Sequence, residues 1–202
     1  MDYNRDEQSL LLAVALDSIY SGLENGKPLR LNSGDYSGPL SAQRATFVTL
    51  NQGEALRGCI GTLEAQTSLV ESVAENAWAA AFRDPRFAAL TAAEVSDLSI
   101  HVSVLSPLMP VTVASEQELL AKMVPGEAGW VLQEDGNRGT FLPSVWSSLG
   151  EPAEFLRHLK IKAGLSQDYW SETLEIWRYT TDSFSAAVAD IPSPGQDAPK
   201  AG

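Results

Sequence analysis

The sequence contains few of the residues that most often bind metals or form covalent cross-links. Among its 202 residues are one cysteine, Cys59, and two histidines, His101 and His158. A single cysteine cannot form a disulfide within the chain. The three side chains are far apart in sequence and match none of the short spacings found in zinc sites. We therefore predict no metal site and no bound cofactor.

Basic residues are also scarce. The chain has 14 lysines and arginines and 26 aspartates and glutamates, which gives a net charge of -12 and a pI near 4.5. Such a surface repels nucleic-acid phosphates and anionic membrane surfaces. The composition therefore argues against a nucleic-acid-binding protein.

Long apolar segments are missing as well. The longest uncharged apolar run, residues 9–16, is about half of the roughly 18 residues that a membrane-spanning helix needs. The first eight residues carry Asp2, Arg5, Asp6 and Glu7, which does not fit a secretory leader. We expect a cytoplasmic protein without a membrane segment.

Helical and strand patterns alternate along the chain. Apolar spacing and capping residues predict helices over residues 8–24, 68–84, 115–123 and 153–163, and strands over residues 44–50, 56–62, 98–106, 129–134, 139–142 and 173–180. Several strand pairs are joined by short turns, including one at Asp135-Gly136-Asn137. This pattern indicates an α+β fold, with a largely antiparallel sheet and flanking helices.

Residues 187–202 differ from the rest of the chain. They contain Pro192, Pro194 and Pro199, and their only sizeable apolar residues are Val188 and Ile191. A segment of this composition buries too little surface to offset the cost of ordering it. We predict one domain over residues 1–186, followed by a flexible tail.

The most unusual stretch is Leu56-Arg57-Gly58-Cys59-Ile60-Gly61-Thr62. It follows the turn at residues 51–54, so it should return as the antiparallel partner of the preceding strand. Glycine within a strand commonly marks a bulge or a close approach by another backbone. Because the helix beginning at Ser68 follows closely, we expect its N-terminal end to face this stretch and to favour an anion there.

Six segments in order resemble the AMMECR family: Phe47-Val48-Thr49-Leu50, Leu56 to Gly61, Ala79 to Phe87, Val102 to Leu105, Phe141-Leu142-Pro143 and Lys162 to Leu165. The resemblance covers about residues 8–185. It implies a two-lobed α+β domain, with the Arg-Gly-Cys-Ile-Gly motif near a cleft between a larger and a smaller lobe. It also implies Memo-like and radical SAM proteins as partners, but it implies no established reaction.

Cys59 is the candidate catalytic residue. A thiolate activated by Arg57 and nearby backbone N–H groups could act as a nucleophile. The alternative is a small buried side chain, since free cysteines are often buried. A cysteine mechanism normally needs a base, and the chain offers only His101 and His158.

The candidate ligand-binding residues are Arg57, Gly58, Gly61, Asp84 and Arg86. A guanidinium group matches the geometry of a carboxylate or phosphate, and an aspartate can orient it. The alternative is that Asp84 pairs with a neighbouring arginine and, with Pro85, shapes the end of a helix.

Two functional hypotheses follow. In the first, the protein is an enzyme or enzyme component that binds a small anionic ligand around the motif. In the second, it is a non-catalytic binding or adaptor module whose glycines only permit tight packing. The sequence does not decide whether the protein is an enzyme.

Overall fold

The computed structural model describes residues 3–192 and confirms the α+β fold. The described residues form helices and strands that are, in chain order, α1 (Arg5–Asn25), β1 (Thr46–Gln52), β2 (Ala55–Gly61), α2 (Leu69–Phe82), β3 (Leu98–Leu105), β4 (Met109–Pro110), α3 (Glu116–Lys122), β5 (Gly129–Glu134), β6 (Asn137–Phe141), α4 (Pro152–Lys162), β7 (Glu175–Tyr179) and β8 (Thr181–Ala187). The chain divides into two compact units. Of the described residues, the first contains residues 3–105 and 182–192, and the second is Ser106–Thr181.

The first unit is built on a four-stranded sheet in the order β2-β1-β3-β8. Both β2 and β3 run antiparallel to β1, in a register that places Val48 opposite Val102 and Leu50 opposite Ile100. These four side chains are fully buried in one core with α1 and α2. Because strand side chains alternate, the other face of the sheet carries Thr49 and its neighbours.

Capping residues fix the ends of the two helices in this unit. Asn4 with Glu7 and Ser68 with Glu71 form capping boxes at the starts of α1 and α2. The first helix ends at Gly26, which has a φ of +69° that favours glycine. The second ends at Phe82, just before Asp84 and Pro85, as the sequence predicted.

The second unit contains the other sheet, in the order β4-β7-β5-β6, with antiparallel pairing throughout. Asp135 and Gly136, both with positive φ, form the predicted turn between β5 and β6. The core of this unit includes Leu119 from α3, Phe155 from α4 and Trp130 from β5. Trp146 stacks on Phe155 with ring centroids 3.8 Å apart.

The predicted closing strand, residues 173–180, is confirmed as β7, and a further strand, β8, which the sequence did not predict, follows it. The chain forms β7 in the second unit and then β8 in the sheet of the first unit. Val188 and Ile191, placed in the tail by the sequence prediction, are buried in the first core. The rest of the predicted tail, residues 193–202, lies outside the described residues.

The loop after α1 is attached to the first core by a buried hydroxyl group. Ser18 Oγ donates to the Ala74 carbonyl over 2.6 Å and accepts from the Leu29 amide over 3.0 Å. One side chain therefore joins α1, α2 and the loop, and Ser18 is fully buried.

We expect Ser18→Ala to lower the free energy of unfolding by about 2 kcal/mol, because it leaves the partly buried Leu29 amide without its acceptor and removes the buried bond to the Ala74 carbonyl. Urea denaturation followed by circular dichroism measures the change. Ser21→Ala, one turn further along α1 and only half-buried, is the control and should behave like the unaltered protein. Equal stability of both variants would contradict the role given to Ser18.

Candidate functional site

The two motif glycines lie where other groups approach the backbone closely. A Cβ on Gly58 would collide with the Ala80 carbonyl oxygen in the last turn of α2. A Cβ on Gly61 would collide with the Phe47 ring and the Thr46 carbonyl oxygen. Both glycines therefore have a packing role. The N-terminal end of α2 was expected to face the motif stretch, but at Gly58 it is the C-terminal end of α2, at Ala80, that meets β2.

Asp84 and Arg86 cover the open edge of the first sheet beside Cys59. β2 is an edge strand, so one side of its backbone lacks a strand partner in the part of the chain that the structure describes. The Cys59 amide donates to Asp84 Oδ2 over 2.9 Å, and Arg86 Nη2 donates to the Cys59 carbonyl over 3.3 Å. The two side chains thus form the bonds that a further strand would form.

Asp84 and Arg86 also form an ion pair with each other. Arg86 Nε and Nη2 donate to the two carboxylate oxygens over 2.9 and 2.6 Å. The Asp84 side chain is 2% exposed, whereas that of Arg86 is 54% exposed. The bonded Arg86 guanidinium holds the pKa of Asp84 well below its usual range, and the Cys59 amide acts in the same direction against the effect of burial. The carboxylate is therefore ionised at neutral pH.

Arg57 is bound to the loop that follows α2. Its Nε donates to Glu94 Oε1 over 2.7 Å, and its Nη2 donates to the Ala88 carbonyl over 3.0 Å. The guanidinium also lies over the Phe87 ring, 5.9 Å from its centroid. Arg57, with Thr91 as a second donor, lowers the pKa of Glu94 to about 2. Much of the bonding capacity of Arg57 is thus used within the protein.

The thiol of Cys59 is partly exposed and belongs to a polar row that crosses the sheet. Thr49 lies opposite Cys59 on one side and His101 on the other. Thr49 Oγ1 donates to Cys59 Sγ over 3.2 Å. Burial lowers the pKa of His101, so its imidazole is neutral near pH 7. His158, in contrast, belongs to α4 in the second unit.

The structure thus brings together all six residues that the sequence selected. Sequence reasoning missed Thr49 and Glu94. Thr49 is a strand residue that belongs to no recognisable motif. Its position opposite Cys59 is, however, what the predicted hairpin of the two strands implies. Glu94 lies 37 positions after Arg57, and only its capping box with Thr91 was visible in the sequence.

Within residues 3–192, no group of three or more histidine, cysteine, aspartate or glutamate side chains is arranged to hold a metal ion. No helix in the same range has the length and apolar character of a membrane span.

The fold and the motif define a small α+β protein whose edge strand carries Arg57, paired with Glu94, and a partly exposed cysteine whose backbone is bonded by the Asp84–Arg86 pair. The sequence model of the AMMECR1 family matches residues 12–184, and the chain belongs to this family. It is 34% identical over 183 residues to a protein of Methanothermobacter thermautotrophicus, covering 90% of this chain and 95% of that one. It is 36% identical over 186 residues to a protein of Sulfolobus acidocaldarius, covering 88% and 81%.

A solved structure has the same fold. The crystal structure of the uncharacterized protein PH0010 from Pyrococcus horikoshii superposes with a TM-score of 0.82 at 31% identity. The match covers 88% of this chain and 90% of that one.

Replacement of Gly58 tests the packing of α2 on β2. We expect Gly58→Ala to lower the free energy of unfolding by about 3 kcal/mol, because the added methyl group meets a helix carbonyl that cannot move without displacing α2. Thermal or urea denaturation measures the loss. Gly150→Ala is the control, since a Cβ there has no neighbour closer than 3.9 Å. A stable Gly58→Ala protein would show that α2 does not pack this tightly.

The Arg57–Glu94 pair predicts a defined pH dependence. The folded pKa of Glu94 is about 2 against an ordinary value of 4.5, so the pair stabilises the fold fully above about pH 5. The contribution is lost as the pH falls from about 4.5 towards 2. We expect the destabilisation caused by Glu94→Gln, measured by urea denaturation, to be largest near neutral pH and to shrink over this range. A difference that stays constant with pH would argue against the pair.

Proposed function

We propose that this AMMECR1-family protein binds a small anionic ligand at the covered edge of β2, with Arg86 as the main contact. The observation that carries the proposal is the state of the Arg86 guanidinium. Asp84 holds it through Nε and Nη2, and Nη1 donates to no described residue. An arginine that is fixed on one side and open on the other is preorganised for a carboxylate or phosphate.

The other selected residues have supporting roles in this proposal. Asp84 orients Arg86, and Gly58 and Gly61 allow the helix and the Phe47 ring to approach β2. Arg57 is 13% exposed and bound to Glu94, so it holds the loop rather than the ligand. This loop carries Phe87, whose ring lies 5.5 Å from the Arg86 guanidinium carbon.

Cys59 is the candidate for chemistry on the bound ligand. Its carbonyl accepts from Arg86 Nη2, and its sulfur accepts the Thr49 hydroxyl. The thiolate is the nucleophilic form of a cysteine. If the ligand is an electrophile, the thiol is placed beside the arginine that binds it.

A non-catalytic binding or adaptor module is the second candidate function. Two observations favour it. Close packing requires both motif glycines, and Arg57 and Arg86 are each already paired with a carboxylate. The two candidates differ in what Cys59→Ser should do. A catalytic thiol predicts normal stability with loss of chemistry, and a structural one predicts a lower Tm with intact binding.

The resemblance to AMMECR proteins adds Memo-like and radical SAM proteins as proposed partners. We also propose a cytoplasmic location, because proteins of oxidising compartments often contain disulfides and this chain has a single cysteine.

The role of Arg86 can be tested by titrating the ¹⁵N-labelled protein with phosphate, sulfate and acetate. We expect saturable amide shifts for residues 57–61, 84 and 86–88. Arg86→Lys keeps the charge beside Asp84 but loses the planar fork, so it should weaken binding by about tenfold. Bound anion should also slow alkylation of Cys59 by iodoacetamide.

Arg83→Lys is the matched control, because Arg83 is another exposed arginine of the same segment and contacts Trp78 instead. It should bind anions like the unaltered protein. Equal weakening in both variants would point to general charge effects, and the absence of saturable shifts would rule the proposal out.

A further inference from the structure

The second unit contains a groove that is independent of the motif. It lies at the ends of β4 and α3, beside β7, and has a volume of about 380 Å³. This volume is at the small end of the range of ligand-binding pockets. Its walls are mainly apolar and include Val111, Ala121, Val124 and Trp130.

Apolar side chains at this groove are unusually exposed. Val124, in its wall, is 45% exposed. Met109, which precedes the lining residue Pro110 and lies opposite Arg178 in the pairing of β4 with β7, is 43% exposed but does not itself line the groove. Exposed apolar surface gathered at a concave site is typical of ligand-binding grooves.

The groove also holds an arginine whose charge is not compensated. The Arg178 side chain is exposed and forms no hydrogen bond or ion pair with any of residues 3–192, whereas Arg57, Arg86 and Arg157 each hold a carboxylate. Several other arginines among the described residues also have no ion pair with a carboxylate, but Arg178 is the arginine that lines this groove.

Lys122, the other cation of the groove, is differently placed. Its Nζ donates to Glu118 Oε1 over 2.8 Å and to the Thr112 carbonyl over 3.0 Å. The charge of Lys122 is therefore balanced by Glu118 within α3. Arg178 is left as the positive charge of the groove that can bind a ligand.

We infer that this groove binds a small amphiphilic monocarboxylate. The planar guanidinium of Arg178 accepts a carboxylate in a two-point contact. The apolar body then lies along Val111, Val124 and the Trp130 wall, which removes the exposed apolar surface from water. A compact, fully hydrated anion such as phosphate fits less well, because these walls offer few polar partners for it.

Octanoate is a direct probe of this site in the whole chain labelled with ¹⁵N. We expect saturable amide shifts concentrated at residues 111–112, 121–124, 130 and 178. Acetate supplies the charge alone and octanol the apolar chain alone, so each should bind much more weakly than octanoate.

Two variants test the groove further. Arg178→Gln should weaken octanoate binding by about tenfold, as expected for the loss of a charge-assisted contact. Ala121→Trp should block binding by filling the groove. Arg157→Gln, in α4 of the same unit, is the matched control and should bind octanoate normally.

The inference fails if octanoate shows no saturable shifts or shifts spread over both sheets. It also fails if Arg178→Gln and Arg157→Gln bind octanoate equally well. These outcomes do not bear on Arg86, because all the residues invoked here belong to the second unit.

Discussion

The organisation of the first unit depends on one buried carboxylate, Asp84, that is bound from two directions. It accepts the free amide of an edge strand at Cys59 and the guanidinium of Arg86. Edge strands otherwise expose unpaired backbone groups to other chains. A buried ionised carboxylate is tolerated only when donors surround it. The same contact therefore covers the sheet edge and fixes the position of the arginine.

This contact also determines how close α2 comes to the sheet. Asp84 lies just after α2, and Gly58 lies just before Cys59, so the edge contact and the close approach at Ala80 reinforce each other. The Arg57–Glu94 pair, with the Ala88 carbonyl, fastens the continuing loop to the same strand. A loop held at several points on a rigid strand can keep a ligand-binding group in place.

The two proposed sites use arginine in different ways. Arg86 is oriented by a buried carboxylate and can present only its remaining N–H groups, which suits a small anion held in one geometry. Arg178 has no such partner among residues 3–192 and lies beside exposed apolar side chains, which suits a ligand held mainly by its apolar body. Each unit can therefore be tested with probes that the other should ignore.

The sequence alone determined the helices with capping boxes, the hairpin turn at Asp135 and Gly136, the α+β class and the motif around Cys59, because these depend on neighbouring residues or short periodic patterns. Tertiary structure decided what the motif residues contact. The pairing of Arg57 with Glu94, the contact of Ala80 in α2 with Gly58 and the return of β8 to the first sheet all join residues that are distant in the chain. Local periodicity specifies which face of an element is apolar, but it does not specify which distant element covers that face.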